Sequence, residues 1–466
     1  MNLKANFNEM KKATTVKELL SILDYNILIN CAFFILVAII LTPFIALFTG
    51  YYSFLTNYIL FFGFLGCGVT LLSFFTGRFS FGLKNIDYFK LNIVPVFLFI
   101  MLIWSIFACI FSTNPEISFY GSSYREEGLL MYFAYCGFFG CGYIAAKGNK
   151  LHILFNLLSA VAFILAVFMV INSPVLNFKF HTEQIHSVFY QKNHAGYYFC
   201  IATILSTVEI LKLNLNTKKD KIKFILRLIL VGFLLYGNIL TNSTGSFLAI
   251  IFGGCALIFA SALFNRKILK HCIFIFMTFI FVTIISIFTG KSPLLDVLQV
   301  FIDFGTIIKD TRSEEALQAG TTRWLLWLHA IDFIKEKPVF GFGPDNLEEP
   351  YLAVGLTDTR PHNEFLQHAA ALGIPAAIFY LISVVTFTVT YFKKKIDNPI
   401  VIGLVCTVGA YVFSSLFGNS MFYTTPFFFM IFGMATSVIK KDCVEFINFS
   451  DKIKTEKELN LWKRKS

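Results

Sequence analysis

The chain has 466 residues, of which 56% are hydrophobic and only 14% charged, and its mean hydropathy is +0.70. Soluble proteins carry about 25% charged residues, so a water-soluble globule is excluded. The net charge of +11 invites a nucleic-acid partner, but the placement of the charges accounts for it without one.

Apolar blocks of about 20 residues, the length that crosses a bilayer, recur along the chain. They fall at 27–48, 52–75, 91–111, 128–146, 151–172, 194–211, 224–240, 245–264, 271–289, 363–392, 399–417 and 420–439. This spacing predicts an all-α integral membrane protein of about twelve transmembrane helices. A polar tail, 1–26, precedes the first block and reads as a cytoplasmic tail, because a cleavable leader has a shorter apolar core. Spans 1–9 then occupy 27–289, a long loop 290–362, spans 10–12 363–439, and a basic tail 440–466. Loops on one face hold 28 of the 39 basic residues and those on the other hold 10. Lys and Arg collect on the cytoplasmic side, so both termini are expected inside and the loop 290–362 outside. All ten cysteines fall in spans or on the cytoplasmic side, which excludes an outer disulfide framework.

Ionisable residues within spans mark the cargo path of a transporter. Here the spans hold almost none, and the polar chemistry gathers on the outer face. In chain order the first such segment is "NPEISFYGSSYREEGLL", 114–130, whose only cation is Arg125. Its planar fork suits a phosphate, and equally a snorkelling or Glu-paired role. The second is "HTEQIHSVFYQKNHAGYY", 181–198. Its His181, His186 and His194 lack a regular ligand spacing, so no metal is expected. Lys192 and Asn193 can contact a headgroup, or belong to a solvated loop.

The third segment is the loop 290–362, long enough to be functional. Within it "TTRWLLWLHAIDFIKEKP", 321–338, has helical periodicity, with Trp324, Leu325, Trp327, Leu328, Ile331 and Ile334 on one face. Thr321 or Thr322 caps this helix and Pro338 stops it. Two Trp suit a helix lying in the interface, or one packed on other protein segments. "GFGPDN", 341–346, is a tight turn without the context of a nucleotide site. Last comes "TRPHNEFLQHAAALGIP", 359–375. Pro361 fits the first turn of a helix, which puts His362 where a neutral imidazole can take a proton from a sugar hydroxyl. The helix N-terminus disfavours the charged imidazole and favours an anion. Arg360 adds a cation, and His368 lies deeper as a packed side chain.

Carrying these features, the chain resembles the O-antigen ligase and O-antigen polymerase superfamily of bacterial envelope proteins. The resemblance rests on the span layout, the outer loop before the tenth span, Arg323, Ala330 and Pro338 running into "KPVFGFGPDN", the His362–Asn363 pair with Gly373, and "YQKNHAGYY". It covers most of the chain, with a ligase-related region at about 190–430. It implies a GT-C-like, inverting, metal-independent glycosyltransferase without a cofactor, in the bacterial cytoplasmic membrane. The implied donor is a glycan on undecaprenyl diphosphate; the acceptor is a glycan, lipid or protein. His362 is then the base and Arg323 the diphosphate ligand, with Asn193 and Asn363 as polar contacts.

One departure stands out: the family's Ser-Arg-Gly at the eighth span reads Ser243, Thr244, Gly245 here. Arg125, Lys192 and Arg360 are the candidates to replace the missing cation. A polysaccharide exporter or flippase, and a non-catalytic member of the same fold, are the competing readings.

Overall fold

The computed structural model describes residues 11–49, 52–80, 93–123, 125–171, 189, 191–291 and 293–439. Among them the regular elements are all helical. The first half contributes α1 (Val16–Ile22), α2 (Tyr25–Ile40), α3 (Thr42–Thr49), α4 (Tyr52–Ser80), α5 (Ile93–Ile110), α6 (Pro115–Tyr120), α7 (Leu129–Ala145), α8 (Leu151–Ile171) and α9 (Lys192–Leu211). The second contributes α10 (Lys218–Leu240), α11 (Thr244–Phe264), α12 (Leu269–Phe288), α13 (Pro293–Lys309), α14 (Glu314–Gln318), α15 (Arg323–Glu336) and α16 (Glu348–Ala353). The chain then closes with α17 (Glu364–Leu372), α18 (Ile374–Lys394), α19 (Pro399–Ser415) and α20 (Thr425–Ile439). His181, His186 and the tail 440–466 lie outside the described residues.

Nine stretches among the described residues are long and apolar enough to cross a membrane, and α7, α19 and α20 are shorter apolar helices. The chain is therefore a multi-pass membrane protein. The short helices are the enclosed ones: α7, whose 17 residues rise about 26 Å, packs on α2, α4, α5 and α20. A helix surrounded by protein need not match a hydrocarbon core of about 30 Å. The least apolar long helix, α9, is also the most enclosed, at 94% buried. Some of its polar groups are met by protein, as where Tyr197 OH donates to Phe417 O at 2.9 Å and Ser206 Oγ lies 2.7 Å from Ser159 Oγ. Tyr198 OH and Thr203 Oγ1 are buried without a hydrogen-bond partner among the described residues.

Close approach between these helices depends on glycine. A Cβ on Gly137 would stand 2.1 Å from Gly63 O, and one on Gly142 2.0 Å from Met430 O. Apolar side chains gain little by leaving lipid for protein, so backbone contact through small residues does much of the packing.

The block read as the tenth span, 363–392, is two helices broken at Gly373, which sits at φ +89°. Pro375 follows, and its ring cannot tolerate a helical carbonyl four residues back. The carbonyls freed at the end of α17 are taken by the "GFG" turn: Phe342 N–H donates to Ala370 O at 3.0 Å and Gly343 N–H to Ala371 O at 2.8 Å. Ile374 N–H donates to Pro338 O at 2.8 Å. This turn is thus a helix cap.

Of the two placements open for 321–338, the structure shows contact with other protein segments, made through a different face from the one expected. Helix α15 buries Leu326, Ala330 and Phe333 and packs on α17, while Ile331 on the supposed apolar face is exposed. The apolar count misled because most of the side chains around α15 are apolar, so the pattern did not select a face.

Candidate functional site

One cleft of about 450 Å³ gathers residues from distant parts of the chain. Lys192 and Asn193 enter from the start of α9, Thr244 from the start of α11, and Arg323 from the start of α15. Asp358 and His362 close the side toward α17, and Asp296, Gln299 and Asp303 of α13 form the opposite wall. The sequence-predicted Lys192, Asn193, Arg323 and His362 are thereby brought together. Neither Lys192 nor Arg323 has a hydrogen-bond or ion-pair partner among the described residues.

The helix starts share a second feature. Gln191, Ser243 and Thr322 precede α9, α11 and α15, and none caps its helix with a side-chain hydrogen bond. The first N–H groups of a helix have no intrahelical acceptor and carry partial positive charge. Three such termini and two unpaired cations are groups on which an anion can rest, in a cleft that Asp296, Asp303 and Asp358 also line. At α15 the Trp324 N–H is already taken by Ala319 O at 3.4 Å. Helices α9 and α11 are held together here by buried Asn238, whose Nδ2 donates to Gly196 O and to Ser246 Oγ, both at 2.9 Å. Gly196 permits the contact, since a Cβ there would meet Ser246 Oγ at 2.4 Å.

His362 does not sit in the first turn of a helix, and Pro361 is not the first helical residue. Asn363 is the N-cap of α17, its Oδ1 accepting from Leu366 N–H at 3.0 Å, and His362 stands just outside at φ +50°. That left-handed backbone is uncommon for a non-glycine residue and turns the imidazole back along the loop. Its Nε2 lies 2.7 Å from Asp358 Oδ2, and Nδ1 lies 3.3 Å from Asn419 Nδ2. Burial pushes the imidazole pKa down, Asp358 partly opposes this, and Arg323 and Arg125 reinforce it. Burial raises the Asp358 carboxyl, but hydrogen bonding and charge from His362, with Arg125 and the Arg360 N–H, outweigh this and hold it below its ordinary value. An ionised Asp358 only accepts, so Nε2 carries the proton and Nδ1 the lone pair. The result is a neutral, oriented base.

The remaining candidates support the site from behind. Arg360, expected at the ligand, is 2% exposed and lies between the carboxylates of Glu127 and Asp345, and also donates to Ser420 O at 2.9 Å. Asp345 further accepts from Ser122 N–H and Oγ–H at 2.8 and 2.9 Å. Arg125 donates to Thr359 Oγ1 at 2.9 Å and stands 3.9 Å from Asp358 Oδ1. Asn363 donates through Nδ2 to Leu416 O at 3.1 Å. None of these three lines the cleft. Thr244 does line it, so the structure places a hydroxyl there.

Sequence reasoning missed Asp358 and Asn419. The first had a signal, as the one acid in "GLTDTRPHN", 355–363, four residues before His362; the second, 57 residues on, had none. Among known families, the model of the O-antigen ligase family matches residues 229–381. No curated protein matches the chain.

Proposed function

We propose, from the match to the O-antigen ligase family over residues 229–381 and the cleft that this region shares with the start of α9, that the protein transfers a glycan from undecaprenyl diphosphate to an acceptor hydroxyl on the outer face of the bacterial cytoplasmic membrane. The observation carrying this reading is the meeting of one neutral, carboxylate-oriented imidazole with two unpaired cations and three uncapped helix starts.

In this reaction the acceptor hydroxyl replaces Asn419 at His362 Nδ1 and gives up its proton there. Its oxygen attacks the anomeric carbon as the bond from that carbon to the diphosphate oxygen breaks, inverting the centre. The departing diphosphate gains charge, which Arg323, Lys192 and the free N–H groups receive. Asp358 stabilises the imidazolium that forms, as a carboxylate does in other hydrolase and transferase triads. The anion seat made of backbone also supplies what Thr244 lacks in place of Arg. Ligation and polymerisation differ only in the acceptor, and the cleft fits both. Chemistry of this kind needs orientation and charge stabilisation more than covalent participation by the protein.

The test is transfer in proteoliposomes holding an undecaprenyl-diphosphate oligosaccharide. Wild type is expected to release undecaprenyl diphosphate; His362→Ala should lose about 10²–10⁴-fold in rate. Equal rates, or glycan that crosses the bilayer unaltered, would move the protein to the exporter reading.

A further inference from the structure

Helix α13 turns an apolar stripe away from the protein. In "PLLDVLQVFIDFGTIIK" the helical repeat puts Leu294, Leu298, Phe301, Gly305 and Ile308 on one line, flanked by Leu295, Ile302 and Phe304. The seven large side chains are exposed, from 47% at Leu294 to 76% at Ile308. Gly305 has open space where a Cβ would stand. The opposite face bears Asp296, Gln299 and Asp303, which form a wall of the cleft. Soluble surfaces rarely hold such a stripe uncovered. It follows directly in the chain from the end of α12, a helix long and apolar enough to cross a membrane, where Phe288 is 86% exposed, so it continues that helix's exposed apolar surface. Lys291 and Lys309 bracket it in the chain, and Lys291 Nζ donates to Asn242 Oδ1 at 3.1 Å, at the edge of the cleft.

The helix is also tied to the cleft's arginine. Asp303 Oδ2 accepts the Gly320 N–H at 2.7 Å. Gly320, Thr321 and Thr322 follow one another at φ +62°, +59° and +67°, immediately before Arg323. Consecutive left-handed residues, two of them β-branched, persist only where their surroundings hold them. Asp303 supplies that hold.

We infer that α13 lies in the bilayer interface on the cleft side, with its stripe among phospholipid acyl chains, and that this seating, through Asp303 and Gly320, fixes Arg323. The lipid seating rests on the membrane-spanning reading alone; the role of Arg323 toward diphosphate rests on the proposed function.

Two experiments separate these parts. Benzoylphenylalanine is placed at position 301, and separately at 299, in full-length protein in phosphatidylethanolamine–phosphatidylglycerol vesicles. After irradiation, position 301 is expected to give phospholipid adducts and position 299 few or none. Adducts of 301 to a second copy of the chain, or none to lipid, overturn the seating, whatever the protein's activity. The second experiment measures inorganic pyrophosphate binding to Asp303→Ala and Asp303→Asn. Removing a negative charge from the cleft should by itself tighten anion binding. The amide keeps an acceptor for Gly320, so Asp303→Asn is expected to bind as well as wild type or better. Asp303→Ala, which loses the acceptor, is expected to bind about tenfold more weakly. If Ala and Asn tighten binding alike, Asp303 acts only by its charge and the link to Arg323 is overturned; failure of glycan transfer would leave both results unaffected.

Discussion

At the scale of single residues, the imidazole of His362 carries the pH behaviour. Its pKa lies below the ordinary histidine value, because burial and the two arginines disfavour the cation more than Asp358 favours it. The base form therefore survives below pH 6.5, and the rate is expected to fall only on the acid side of that value. Asp358→Asn removes the charge that favours the imidazolium and weakens the hydrogen bond to it. The acid limb of the rate profile should then move to lower pH, while the plateau drops about tenfold or more through loss of orientation. A limb that moves to higher pH would show that Asp358 does not face the imidazole as an anion. Arg360 makes a different prediction. Replacing it with Met leaves Glu127 and Asp345 buried without a counter-charge, a change expected to remove about 3–5 kcal/mol of stability. Thermal unfolding in detergent reads it directly.

At the scale of elements, the break at Gly373 decides where His362 stands. A Cβ there would lie 1.9 Å from Val339 O, and the backbone is at φ +89°. Gly373→Ala should therefore cost more than about 1 kcal/mol and lower transfer by displacing α17. Gly409, inside α19, is the control: its added Cβ meets Phe252 at an ordinary 3.8 Å. Gly409→Ala is expected to stabilise by about 0.5–1 kcal/mol. Equal melting temperatures for the two variants would show that the junction carries no strain.

The apolar blocks were legible because lipid imposes length on a helix, and a run such as 151–172 emerges as Leu151–Ile171. Lys192, Asn193 and His362 drew notice because polar side chains at the outer ends of spans are scarce in such a chain, whereas Arg323 was singled out by the family resemblance; the structure brings the four to one cleft. The break at Gly373 was written in "LGIP" yet hidden inside an unbroken apolar run. Arg360 was misplaced because a loop sequence does not show its partners: Glu127 comes from over two hundred residues away. The amphipathic character of α13 was passed over in favour of the two tryptophans of α15, a helix whose buried face, Leu326, Ala330 and Phe333, cannot be read from periodicity.

At the scale of the molecule, the cleft is wider than the family-matched region. Residues 229–381 contain Thr244, Arg323, Asp358 and His362, but Lys192, Asn193 and Asn419 lie outside it. The site is thus assembled across α9, the matched region and the α19–α20 connection. Lys192→Ala should weaken inorganic pyrophosphate binding about tenfold although it lies outside the matched region; unchanged binding would confine the anion seat to α11 and α15. The short buried helices α7 and α20, joined at Gly142 and Gly433, form a frame remote from this site. Substitutions there are expected to lower folding yield without altering the pH profile of what folds.

The uncapped starts of α9, α11 and α15 have one more consequence. A side chain that binds an anion can be lost through a single codon change, whereas a peptide N–H is present whatever residue occupies the position, proline apart. In the proposed reaction, much of the attraction for a diphosphate is thus encoded by the path of the chain, not by the identity of its residues. A site built this way tolerates drift at any one lining position, and Thr244 at the head of α11 is an instance of the substitutions it can absorb.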